Sequence, residues 1–255
     1  MKTGLILQKR DYEIFEFLRV QGFATFNQLE KLFFRSQSSC SHRLCSLQKF
    51  SYIKMINASD YFKGANNRFT PILLGLGLNT KTKIICLTSQ FRKQIPDTNR
   101  LLKHNLCLHQ LLLNDARIKL NSYLENYSLV LNDPQLKTWS LIDAGRRKEF
   151  TPDLSYESSV FSDQKFSLAI ELERTLKNQN RYLEKFNFYD TSSYTHVLYL
   201  YVYESHLTTL LNYSGRIRKY AFAHYLKPQE VFSNTWGYLN INDWVKKVQS
   251  IQKTA

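Results

Sequence analysis

The sequence predicts an α+β protein, and three observations predict it. Apolar side chains recur at helical spacing between residues 9 and 50, where they follow residues suited to cap helices. Strict two-residue alternation then appears at 150–156, 166–174 and 196–203, which is the period of strands. A chain of 255 residues is long enough for one large domain or two ordinary ones, and the change of period along it favours two.

The first helix is expected over 9–20, with Ile14, Phe17 and Leu18 on one side and Gly22 placed to end it. Thr25 followed three residues later by Gln28 has the capping-box pattern, and Phe26, Leu29, Leu32 and Phe33 continue a second helix. After a Ser-rich turn, a third helix over 38–50 turns Leu44 and Leu47 inward and leaves Ser39, His42, Arg43 and Ser46 on its other side. Residues 52–56 alternate as a strand, and 68–73 form the expected antiparallel return after the polar stretch 57–67. These spacings set the expected boundaries: a first domain over 1–78, a linker over 79–96 and a second domain over 97–255.

The second domain is expected to begin with a helix over 97–126, whose many leucines, among them Leu101, Leu106, Leu112 and Leu120, require packing. Strands are predicted at 127–131, 138–142, 150–156 and 166–174, then a helix at 178–189 and a strand at 196–203.

Composition narrows the function classes. Hydrophobic residues make up 43% and aromatics 14%, against only 8 Gly and 5 Pro, so collagen-like, linker-like and low-complexity chains are excluded. No apolar run approaches the roughly 20 residues of a spanning helix. The N-terminal residues carry no evident secretory signal, so a soluble cytoplasmic protein is the expectation. Cys40, Cys45, Cys86 and Cys107 contain no CxxC pair and are expected to be buried reduced thiols. Six histidines include no HxH pair, no glycine-rich phosphate cradle occurs, and no serine or cysteine hydrolase motif is present.

Charge is the strongest compositional signal, at a formal +14. Residues 1–75 hold 11 basic and 5 acidic side chains, 76–149 hold 12 and 6, and 150–255 hold 12 and 10, so the excess lies towards the N-terminus. A polyanion partner follows. No basic amphipathic helix stands out, which favours nucleic acid over a membrane surface.

Residues 9–75, with the sequence His42-Arg43-Leu44-Cys45-Ser46-Leu47 in the third helix, resemble a winged helix-turn-helix. The resemblance implies that Ser39, His42 and Arg43 enter a major groove while Lys63 and Arg68 in the wing touch phosphates. A three-helix protein-interaction module is the other reading of the same segment.

Alternation along 166–173 sets Leu168, Ile170 and Leu172 against Ser167, Ala169, Glu171 and Glu173, so both carboxylates share a face. In 150–156 the same split sets Asp153 with Thr151 and Ser155. If the two strands are neighbours, Asp153 approaches Glu171 and Glu173. Like charges about 4 Å apart repel by roughly 4 kcal/mol at an effective dielectric of 20, so the cluster needs a cation, a proton or solvent; an exposed strand face, or carboxylates paired with Arg174, Lys177 and Lys185, is the other reading of the same residues. Oxygen-only donors of this kind suit Mg2+ or Mn2+, with Asp153, Glu171 and Glu173 as the candidate ligands.

Pro152-Asp153 followed by Glu171-Leu172-Glu173 resembles the PD-(D/E)xK nuclease superfamily, whose fold is restriction-endonuclease-like. Basic residues after the motif, Arg174, Lys177, Arg181 and Lys185, fall near one helical face, and Arg181 is the expected DNA contact among them. Together with the N-terminal segment, the chain looks like the replication-relaxation family and its MOBC-type plasmid relaxases. That likeness implies a plasmid mobilisation protein that nicks one DNA strand at the origin of transfer with a divalent cation, alongside other relaxosome or coupling proteins. Asp153 and Glu171 would hold the cation. Glu173 stands where the superfamily has Lys, so either Lys177 or Arg181 replaces that charge or Glu173 is an additional ligand. A Tyr-dependent transfer through Tyr182 or Tyr189 is the other chemistry, with aromatic packing as the plainer role. The alternative function is a non-enzymatic accessory or regulatory DNA-binding protein with a degenerate nuclease domain.

Overall fold

The structure, a computed structural model, describes residues 4–62, 78, 81–93, 104–124, 130–132, 152–158, 166–215 and 219–252. Two units divide the chain, Met1–Ile118 and Lys119–Ala255. Together they make an α+β protein, with a helical N-terminal region and a mixed sheet after it.

Local capping begins the helices of the first unit. Helix α1, Lys9–Gln21, opens where the Gln8 amide donates to Asp11 Oδ2 at 2.6 Å, and it stops at Gly22, whose φ of 78° lets its N–H reach the Leu18 carbonyl. After strand β1, Ala24–Thr25, helix α2, Phe26–Phe33, carries the expected capping box: Thr25 Oγ1 accepts from the Gln28 amide, and Gln28 Oε1 accepts from the Thr25 amide, both at 3.1 Å. Ser36 caps α3, Gln37–Lys49. Ile14, Phe17, Leu18, Leu29, Leu44 and Leu47 from these helices meet Ile53, Ile85 and Leu87 in one buried cluster.

Strand β2, Ile53–Asn57, and helix α4, Ala58–Tyr61, follow, and then β3, Lys83–Leu87, and α5, Ser89–Arg92. The sheet order is β1-β3-β2, antiparallel throughout. The segment expected as a linker over 79–96 therefore contributes the central strand of this sheet. Ile84, Ile85, Cys86 and Leu87 are all buried, and only pairing on both edges satisfies the backbone of such a run. The return strand expected at 68–73 lies outside the described residues, as do Lys63 and Arg68.

Helix α6, His104–Leu124, begins the expected second domain, yet most of it belongs to the first unit. Buried amides tie it there: Gln28 Nε2 donates to the Leu111 carbonyl and Asn114 Nδ2 to the Phe23 carbonyl, each at 2.8 Å, and Gln110 Nε2 donates to Gln21 Oε1. The first compact unit consequently extends to Ile118.

The second unit is built on a seven-stranded sheet, ordered β10-β9-β8-β7-β6-β5-β4. Its elements are β4, Val130–Asn132; β5, Leu154–Ser158; β6, Phe166–Glu173; α7, Gln179–Thr191; β7, His196–Tyr201; α8, Glu204–Ser214; β8, Tyr220–His224; β9, Glu230–Ser233; β10, Gly237–Asn240; and α9, Ile241–Gln252. Strands β6, β7 and β8 run parallel, joined through α7 and α8, while the outer pairs are antiparallel. Helices α7 and α8 cover the face that carries Ala169, Val197, Tyr199, Tyr201, Tyr220 and Phe222. On the other face Trp244 of α9 meets His196 edge-on at 5.1 Å. The strand expected at 138–142 lies outside the described residues. Among the described residues no helix is long and apolar enough to cross a membrane.

Candidate active site

Register assembles the site. Leu154 pairs with Ile170 and Ser155 with Ala169 across the antiparallel β5–β6 ladder, so Asp153, one residue before β5, falls opposite Glu171 on the face under α7. Asp153 Oδ2 accepts from the Leu172 amide at 2.7 Å, which fixes that carboxylate at the mouth of the ladder. Glu171 is only 2% exposed and Glu173 only 1%, so neither lies on an open strand face.

Helix α7 supplies the partners of Glu171. Tyr182, Phe186 and Tyr189 form its buried stripe. Lys185 lies three residues after the first and four before the last, so it descends on the same side. Its Nζ is 2.5 Å from Glu171 Oε2, and the Tyr189 hydroxyl donates to Glu171 Oε1. Glu173, two residues along β6, is engaged elsewhere: both of its oxygens accept from Lys177 Nζ, at 2.9 and 3.0 Å.

Burial raises the Glu171 carboxyl to about 7; the Lys185 charge opposes the rise and Asp153 adds to it. For Lys185, burial acts to lower the ammonium, but attraction to Glu171 and Asp153 outweighs it and holds the group above its usual value. The cluster is therefore two opposed carboxyl groups that share one protonated lysine. Tyr182 and Tyr189 are both fully buried, and burial raises their hydroxyls well above the ordinary value, which suits packing and hydrogen bonding rather than nucleophilic attack.

Several expected site residues have different roles here. Arg174 and Lys177 precede α7, Arg181 points outward 3.6 Å from Glu184, and Lys185 turns inward, so the basic series does not share one helical face. Lys185 was not among the expected catalytic residues. Its signal was available as a lone cation inside the Tyr182, Phe186, Tyr189 spacing. Asp153 and Glu171 are oxygen donors of the kind that Mg2+ and Mn2+ take, but Lys185 and Tyr189 already engage both oxygens of Glu171, and the Leu172 amide engages Asp153 Oδ2. Glu173 does not join them, and among the described residues no group of three His, Cys, Asp or Glu side chains stands ready to ligate.

On α3, Ser39 and His42 are exposed as expected, in company with Ser38, Ser41, Gln48 and Lys49. Arg43 is not available in the same way. Its Nε donates to Asp11 Oδ1 at 2.9 Å, a terminal nitrogen donates to Asp11 Oδ2, and another bond of 2.8 Å reaches the Ile6 carbonyl. Asp11 is completely buried, so Arg43 is the cation that permits its burial. Cys40, Cys86 and Cys107 are buried free thiols, whereas Cys45 lies on the exposed side of α3.

No family model, no curated protein and no solved structure matches this chain. The geometry itself describes a helical unit with an exposed polar helix face, and a mixed sheet holding an Asp–Glu–Lys cluster beneath a helix.

Proposed function

We propose that the protein is a DNA-binding, metal-dependent endonuclease that nicks one strand, with a winged-helix first unit and a PD-(D/E)xK-like second unit, acting as a plasmid mobilisation relaxase at the origin of transfer. The observation that carries the proposal is the opposition of Asp153 and Glu171 across the β5–β6 ladder. Two carboxylates so placed repel unless positive charge joins them; Lys185 supplies one such charge, and a divalent ion bound beside it would supply the rest, orient a phosphodiester and lower the pKa of an attacking water. The net charge of +14 supplies the attraction for DNA, and Ser39 and His42 on α3 supply groups able to reach base edges.

The test is a supercoiled plasmid carrying the chain's own transfer origin, incubated with Mg2+ or Mn2+. Relaxed circles from the wild type, and none from Asp153→Asn or Glu171→Gln, are expected. Equal DNA binding by all three proteins without nicking by any favours a second reading, an accessory or regulatory DNA-binding protein of plasmid replication or transfer. That reading draws on one observation: Lys185 and Tyr189 already engage both oxygens of Glu171.

A further inference from the structure

We infer that strand β10, at the border of the seven-stranded sheet, is a self-association edge: it pairs antiparallel with β10 of a second copy of this chain and joins the two sheets into one. The inference is independent of the nuclease reading.

Cover is lost step by step along one cross-strand row. Register aligns Tyr199 of β7 with Phe222 of β8, Phe232 of β9 and Tyr238 of β10, so the four rings lie on one face of the sheet. Helices α7 and α8 bury the first two. Phe232 is half-buried, and Tyr238 is 76% exposed although its ring meets that of Phe232 edge-on at 5.0 Å. The row thus ends on an aromatic side chain with its outer surface uncovered.

The backbone beside it also suits a partner. Among the described residues β10 pairs with β9 alone, across Gly237–Asn240. Sheet borders are commonly blocked by lysine, other charges or proline, because an unpaired row of N–H and C=O groups templates a further strand. This border is not blocked: between Glu230 and Asp243, residues 231–242 contain neither a charged side chain nor a proline. The same composition selects the occupant. A nucleic acid strand would find no cation in the run to neutralise its phosphates. Two copies, each at a formal +14, repel one another, and an uncharged edge is where they can approach. Antiparallel pairing of β10 with itself is two-fold symmetric, so it closes as a dimer and brings both Tyr238 side chains to the same face of the joined sheet.

Sedimentation velocity of the full chain, freed of nucleic acid, tests this, with amide exchange at residues 237–240 followed on the same samples. The wild type is expected to pass from monomer to dimer between about 1 and 100 µM, the range of a small interface. Exchange at 237–240 should slow by at least about tenfold as the dimer forms. Tyr238→Lys, which places a charge on the border, should weaken the dimer by at least about tenfold. Its urea midpoint, measured where both proteins are monomeric, should match the wild type because the side chain is exposed. Tyr238→Phe should dimerise as the wild type does. A wild type that stays monomeric over this range overturns the inference, whether or not another protein adds to the edge. So does a dimer that Tyr238→Lys leaves intact, or one that forms while residues 237–240 exchange as fast as in the monomer.

Discussion

Arg43 and His42 are adjacent in sequence and do opposite things. Arg43 is the counter-ion of the fully buried Asp11, and removing it strands a carboxylate in the core of the first unit. Arg43→Ala should therefore lower stability by about 3 kcal/mol, measured by urea unfolding. His42→Ala should weaken DNA binding and leave the urea midpoint unchanged, because the side chain is exposed. Glu171 makes a pH-dependent prediction. Its folded value is raised to about 7 from 4.5, so the stability it contributes is fully present below pH 4.5 and lost as pH rises through 7. In metal-free buffer, Glu171→Gln should remove a downward slope of about 3 kcal/mol across that window. The sign is reversed for His196, which burial lowers to about 3: its contribution is present above pH 6.5 and lost as pH falls towards 3.

Elements whose signals are local were legible before any coordinates. Helix α2 announced itself through Thr25 and Gln28, and Thr25→Ala should cost the first unit about 1 kcal/mol in chemical denaturation. The alternation of β6 placed Glu171 and Glu173 on one face, and the observed register bears that out. What failed to show was non-local. Ile84 to Leu87 is a short continuous apolar run, which periodicity cannot assign, and its role as a central strand depends on partners at Ala24 and Ile53 far away in the chain. The strands after Tyr203 are only four or five residues long, too short to reveal a period. Lys185 was legible only as one of three basic residues able to pair with the carboxylates; the buried Tyr182 and Tyr189 around it are what turn it to the sheet and to Glu171.

At the scale of the whole molecule, a charge of +14 is what the proposed attraction to DNA would draw on, and the opposed carboxylates are the negative centre within it. The attraction should be strongly salt-dependent: log Kobs for non-cognate duplex DNA should fall linearly with log salt, by about 0.9 per phosphate contact, and a flat profile would point to a protein partner instead. The negative centre is what a divalent ion would complete. Manganese titration of the wild-type protein, read by electron paramagnetic resonance, addresses it directly: one Mn2+ per chain should be immobilised, and Asp153→Asn or Glu171→Gln alone should abolish that binding. Immobilised Mn2+ that survives both substitutions, or a wild type that binds none, would contradict the claim that these two carboxylates form the ion site.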